Sequence, residues 1–475
     1  MTLENYIKSS KAEIRDRAKS VGLDFFEVIF ELLDADQMNA VAAYGGFPNR
    51  YPHWRFDMEY ERLSKTYVYG FSKIYEMVVN NDPCYAYLMR SNSLVDQKMV
   101  MAHVFGHSDF FKNNTYFNST NRKMMDSAGN HRTKMQRLMM RHGQDKIEDF
   151  IDQCLSLENL IHTNAPMIAP NRRATQERLA ATERARPAKS AASADADEAG
   201  ANESFQIAER DVLLYLLERA PLHEWQQEVL SIIREEAYYF APQRQSKIMN
   251  EGWASFWHSK LMTGGLLHEN EVIDYAERHA GTLQATGGQL NPYKLGIEMY
   301  RDIERRWNEG RFGRDYEECD NMQERELWDK NLGLGREKIF EVRRLHNDVT
   351  FLDTFLTPEL CEQLQLFTYS YDAKNSQYEV RSRTFEQVKN KLLQTLTNSG
   401  NPVIEVLEGS PAGRGELYLR HVHENVDLKL DHARETLRNL HLIWKKTVHI
   451  ETVVDDIPKV LSFDGNEHRE RRVSV

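Results

Sequence analysis

Apolar residues recur at helical spacing through most of the first 340 positions. Between residues 59 and 79, Tyr60, Leu63, Tyr67, Phe71, Ile74, Tyr75 and Val78 make one stripe, which predicts an amphipathic helix. Residues 24–33 carry a dense apolar run, and residues 3–45 read as two helices. Tyr85 to Met89 reads as a short strand. Ser93 with Asp96 forms a capping-box pattern that opens a helix through His103 and His107, and Asn113-Asn114 ends it. Residues 119–165 are again helical in pattern. Further helices are predicted over residues 211–219, 224–240, 246–262, 269–280 and 292–307, with Pro221, Pro242 and Gly264-Gly265 as stops.

Past residue 345 the period changes to two. Residues 378–382, 402–406, 416–422 and 448–453 alternate as strands do, with helices at 384–398 and 431–444. The predicted fold class is mainly α. A large helical domain over residues 1–340 (zincin-like on the metal reading given below) precedes a small α+β domain over 345–463 and a loose charged tail over 464–475. From about 170 to 204 the chain is Ala, Arg, Glu, Ser and Asp and cannot bury a face. It reads as a mobile insertion, since long surface insertions cost little stability.

A formal net charge of -11 excludes a protein built mainly to neutralise nucleic-acid phosphates. Cys84, Cys154, Cys319 and Cys361 are scattered with no CxxC pair, which argues against a thiolate zinc site or a disulfide framework. The charged N-terminal stretch and the lack of a membrane-length apolar run point to a cytoplasmic protein.

The chemistry concentrates in two stretches. His103 and His107 lie four residues apart in an apolar, aromatic run, so on a helix both imidazoles share one face. Glu251 and His258 lie seven residues apart on a second helix rich in small residues, again on one side. His103, His107 and Glu251 together make the two-histidine, one-carboxylate set that holds a divalent ion, zinc foremost, with a position left for water. His258 is then a fourth ligand, an outer hydrogen-bond partner or a proton-transfer group. Glu235 and Glu236 are acid–base candidates on a neighbouring helix; they face different sides, so at most one reaches the site. The usual metalloprotease pattern has Glu directly after the first His, where this chain has Val104. The competing reading makes the histidines buried members of a polar network. Asp109, two residues past His107, reads as solvated or capping, and Cys84 as a buried thiol.

Longer motifs carry a resemblance. Asn80-Asn81-Asp82-Pro83-Cys84-Tyr85-Ala86-Tyr87, the stretch from Ala102 through His103 and His107 to Asn114, and that from Arg234 through Glu235 and Glu236 to Trp257-His258 resemble the SpoVR family (stage V sporulation protein R). So do Pro52-His53-Trp54 and Asp348 to Asp353, and the resemblance spans nearly the whole chain apart from the alanine-rich insertion. It implies a link to formation of the spore cortex. It also implies partners, a PrkA-type serine protein kinase and a YeaH-like protein, but no reaction. Three function classes follow: a metal-dependent hydrolase of peptide or amide bonds, with a cell-wall precursor as one candidate substrate; a non-catalytic regulator acting with those partners; and a redox metal protein. Convergence of His103, His107 and Glu251 on one point separates the metal readings from the regulator.

Overall fold

The helix Leu94–Asn113 is the axis of the first folding unit. It opens with the expected reciprocal cap: the Ser93 hydroxyl accepts from the Asp96 N–H, and the Asp96 carboxylate accepts from the Ser93 N–H. From Val95 to Phe111 every residue except Met99 is buried. A helix buried on all sides lies at the centre of a core rather than at its surface.

The computed structural model describes residues 2–68, 76–168, 210–284, 290–372, 377–407 and 414–473. The alanine-rich stretch at 170–204 lies outside them. The chain forms two compact units: Met1–Thr133 with Pro242–Gly400, and Lys134–Ala241 with Asn401–Val475. The linear division expected near residue 340 is not how the contacts group. Phe351, Leu352 and Phe355 lie on the helix Asp348–Phe355, and they join the same buried cluster as Phe105, Trp253 and Tyr300.

In the first unit the histidine helix packs against Lys247–Leu261, which carries Glu251, and Leu3–Ser20, with Val272–Leu283 and Gly335–Leu345 beside it, and Pro292–Glu309 packs on the glutamate helix. Beside them lies a three-stranded sheet of β1 (Val28–Leu33), β2 (Glu76–Val79) and β3 (Cys84–Met89), in the order β1-β3-β2. β1 runs parallel to β3 with Phe30 opposite Ala86, and β2 runs antiparallel with Val78 opposite Ala86. Two helical expectations fail here. Residues 28–33 are a strand, because a short apolar run of β-branched and aromatic residues is not separable from a helix by periodicity. The stripe after Glu59 belongs to the helix Trp54–Val68 only as far as Val68. Val78 sits in β2, and Phe71, Ile74 and Tyr75 lie outside the described residues.

The start of the glutamate helix is fixed from far along the chain. Asp348 accepts hydrogen bonds from the Ile248 and Met249 N–H groups at 2.8 and 2.9 Å. These satisfy two of the donors every helix leaves free at its N-terminus. Asp348→Ala is expected to destabilise the protein by about 1–2 kcal/mol, as losing a capping side chain does, measured by urea unfolding. An unchanged midpoint would mean that other groups secure that end.

The first unit also holds an antiparallel pair, β4 (Thr368–Asp372) and β5 (Gln377–Ser382). The second unit contains Gln144–Leu155, Val212–Arg219, the helix Leu430–Trp444 and a five-stranded sheet. Its strands are β6 (Ile404–Val406), β7 (Leu417–His421), β8 (Val448–Val454), β9 (Ile457–Phe463) and β10 (His468–Arg472), in the order β10-β9-β8-β7-β6. Only the β7–β8 pair is parallel. The residues read as a loose tail include β10, whose exposed charges suit a sheet edge. Pro242 does not stop its helix. Glu224–Gln245 runs through it and ends three residues later, so proline costs one hydrogen bond in the last turn. Among the described residues no helix is long and apolar enough to cross a membrane.

Candidate metal centre

Close backbone packing sets the separation of the histidine and glutamate helices. A Cβ placed on Gly106 would lie 2.7 Å from the Ala254 Cα, so side chains flanking this contact face each other at short range. One turn from it, His103 and His107 meet Glu251. Glu251 Oε2 lies 3.5 Å from His103 Nε2 and 3.5 Å from His107 Nε2. The three candidate ligand atoms all lie within 4.8 Å of one another.

Two separations of 3.5 Å and a third of at most 4.8 Å place a point no more than about 2.4 Å from all three atoms. Ligands about 2 Å from a tetrahedral zinc stand roughly 3.3 Å apart, close to the edges seen here. Glu251 Oε2 is buried and has no hydrogen-bond partner. An orphaned carboxylate oxygen at that depth is costly unless a cation or proton meets it. The two histidines and the glutamate therefore fit a divalent ion as hard nitrogen and oxygen donors.

The surrounding hydrogen bonds orient the ligands. His107 Nδ1 lies 2.9 Å from Asn250 Oδ1, so it donates its proton there and leaves Nε2 as a lone pair aimed at the centre. His103 Nδ1 lies 2.9 Å from His258 Nδ1, and His258 Nε2 lies 2.9 Å from His279 Nδ1. The Tyr293 ring stacks on His103 at 6.2 Å between centroids. Burial works to raise the Glu251 pKa, but the His103 and His107 imidazoles beside it outweigh burial and hold the carboxyl below its usual value. Burial raises Glu76, at the start of β2, with the Glu251 charge adding to it and His103 opposing. The Tyr293 phenol is pushed up by the Glu251 charge, then by burial and Glu76, so it stays protonated.

Burial, helped by the His103 charge, lowers His107 to about 4. Burial, followed by the His103 and His279 charges, sets His258 well below its usual value, and burial, then Arg301, lowers His279. An unfolded histidine takes up its proton near pH 6.5, whereas native His107 does so only near 4. Between those values the unfolded state binds more protons, so stability falls as pH is lowered through the window and levels off below it. His107 alone is expected to remove about 2 kcal/mol between pH 7 and 5 from the metal-free protein. Urea midpoints across pH check this, and a flat profile from 7 to 5 would contradict it.

The sequence-selected groups are thus brought together in part. His103, His107 and Glu251 converge, and His258 stands directly behind His103 without reaching the centre as a fourth ligand. Glu235 and Glu236 belong to the second unit, Glu235 exposed and Glu236 buried. Glu76, Tyr293 and Asn250 lie around the centre and His279 stands behind His258, and sequence reading passed over all four. Asn250 had a signal, since it directly precedes Glu251 on a helix already singled out. Glu76 fell inside an apparent helix. Asp109 is neither solvated nor a cap. It is fully buried and accepts from Arg343 Nη1 at 2.9 Å, Trp253 Nε1 at 2.8 Å and the Asp24 N–H at 2.7 Å, tying both metal-site helices to Gly335–Leu345. Cys84 is a buried free thiol, as expected.

Residues 2–401 match the family model described as SpoVR like protein, and residues 402–455 match the SpoVR-like C-terminal domain. The chain belongs to the SpoVR family. The boundary between the two matches falls within a residue of the Gly400/Asn401 division between the folding units. A SpoVR-type relative, described as "Uncharacterized protein YcgB" from Escherichia coli (strain K12), is 28% identical over 484 residues, covering 94% of this chain and 91% of the relative. No solved structure matches the chain.

Proposed function

We propose that this SpoVR-family protein is a cytoplasmic metal-dependent hydrolase acting on a peptide or amide bond, with zinc held by His103, His107 and Glu251. The observation that carries the reading is the meeting of two imidazole Nε2 atoms and an orphaned buried carboxylate oxygen at 3.5 Å separations. Zinc, when bound, supplies a coordinated water acidic enough to ionise near neutral pH and a Lewis acid for a carbonyl oxygen.

The chain's own residues supply the rest. Val104 occupies the place of the usual glutamate base. Glu76 replaces it from the sheet, a carboxylate whose pKa burial raises, which favours its taking up a proton. The protonated Tyr293 phenol is a hydrogen-bond donor for a developing oxyanion. The family's link to cortex formation makes cell-wall peptide material the substrate class to try first. A PrkA-type kinase and a YeaH-like protein are the partners to try alongside it.

Metal analysis of the purified protein tests the reading. Near-stoichiometric zinc, lost in His103→Ala, is the expected result. A chain with no bound metal, and with His103→Ala indistinguishable from wild type, would instead favour the regulator acting with those partners. Iron in place of zinc would favour redox chemistry, for which a two-histidine, one-carboxylate set is equally apt.

A further inference from the structure

Three imidazoles connect the candidate centre to the protein surface. His103 is buried at 5% exposure and His258 at 2%, whereas His279, on the helix Val272–Leu283, is half-buried. The contacts run His103 Nδ1 to His258 Nδ1 and His258 Nε2 to His279 Nδ1, each 2.9 Å. His279 is fixed in plane by Tyr275, whose ring stacks on it at 5.6 Å and 14°. Arg301 lies close enough to act on both His258 and His279, and its charge disfavours a second cation there. At each contact two ring nitrogens 2.9 Å apart cannot both carry a proton, so one of them is bare.

A neutral imidazole carries one proton, so each ring donates through one nitrogen and accepts through the other. Every contact in the chain needs one donor and one acceptor. Only two patterns satisfy both contacts. In the outward pattern His103 Nδ1–H donates to His258, and His258 Nε2–H donates to His279. The inward pattern reverses both bonds and puts the His103 proton on Nε2, facing Glu251. A ligand at His103 Nε2 needs that nitrogen bare, which is the outward pattern alone.

We propose that His258 and His279 are positioning residues that act with His103 as one polarised chain. The proton positions on all three rings are then set together, and the half-exposed His279 governs the metal-ligating form of buried His103. The inference rests on the reading of His103 as a ligand, but the chain itself exists without metal. Neither His258 nor His279 touches the ion. Their part is to hold the proton on Nδ1 of His103, as the outer partners of metal-bound histidines do.

Long-range proton–nitrogen NMR spectra of 15N-histidine-labelled full-length protein, with and without zinc, test this. His279→Ala removes the terminal partner at a half-exposed position. His279→Asn keeps an amide atom where imidazole Nδ1 stood. In the metal-free protein His279→Ala is expected to move the ring-nitrogen shifts of both His258 and His103, and His279→Asn to bring them back. With zinc, wild-type His103 carries its proton on Nδ1 and His258 on Nε2. His279→Ala then binds zinc roughly 10–100-fold more weakly against a chelating indicator, and His279→Asn recovers most of the loss. Thermal melting of the metal-free variants is expected to match wild type, which separates this role from a merely structural one. His103 shifts unmoved by His279→Ala would overturn the chain. So would zinc-bound His103 with its proton on Nδ1 but His258 with its proton on Nδ1. If wild type binds no zinc, the metal reading falls, and the metal-free spectra alone decide whether the chain exists.

Discussion

Glu251→Ala is expected to weaken zinc binding at least about a thousandfold, roughly 4 kcal/mol, while changing the stability of the metal-free protein little. The two effects have one cause. Glu251 supplies the single anionic ligand between two neutral imidazoles, so its loss removes both a donor and the charge that balances the ion. Without metal, the same carboxylate is buried with Oε2 unpartnered. Burial of that unpartnered oxygen costs stability, the neighbouring His103 and His107 offset the cost, and removing the carboxylate therefore changes the fold little. A structural glutamate behaves differently, because its loss leaves a partner stranded. Competition with a chelating indicator measures the affinity, and urea unfolding in chelator measures the stability. Retention of wild-type affinity would remove Glu251 from the centre. A metal-free loss above about 2 kcal/mol would show that the carboxylate serves the fold instead.

How far the chain could be read by eye follows from the range of its interactions. The histidine helix declared itself through local signals, a capping box and an i,i+4 pair, and the structure keeps both. The glutamate helix was equally legible from its small residues and closing glycines. The same methods failed wherever the partner is remote. Residues 28–33 become a strand because β3 offers a parallel neighbour more than fifty residues later, a pairing absent from any local window. Glu76 was hidden by that failure, since a residue assigned to a helix stripe is not sought at a sheet edge. Asp109 looked unremarkable beside His107, yet its partners are Arg343 and Trp253. Asp348 caps a helix a hundred residues upstream. His279 had no motif at all. Its place is defined only by His258, and His258 was chosen for its spacing from Glu251.

Gly252→Val is expected to destabilise the protein by more than about 4 kcal/mol, enough to prevent folding of a marginally stable chain. Gly252 sits next to Glu251 on the opposite side of the helix from the histidines. A Cβ there would lie 2.4 Å from both the Cα and the carbonyl carbon of Gly296 on Pro292–Glu309. The reciprocal Cβ on Gly296 would lie 2.2 Å from the Ile248 carbonyl oxygen. These are backbone atoms, which cannot rotate away as a side-chain tip can, so the two helices must separate and the core between them must open. Gly106→Ala presses on the other face, against the Ala254 Cα. It is expected to cost about 1–3 kcal/mol and to widen the histidine–glutamate gap, so zinc affinity falls out of proportion to the stability change. The glutamate helix is thus wedged between two backbone contacts, with Glu251 aimed out of one side. Urea unfolding of both variants, with zinc titration of Gly106→Ala, measures the pair. A Gly252→Val protein of wild-type stability would mean that the helices have room to spare. The 3.5 Å separations at the centre would then need another cause, because only close helix packing places a glutamate from one helix that near two histidines of the next.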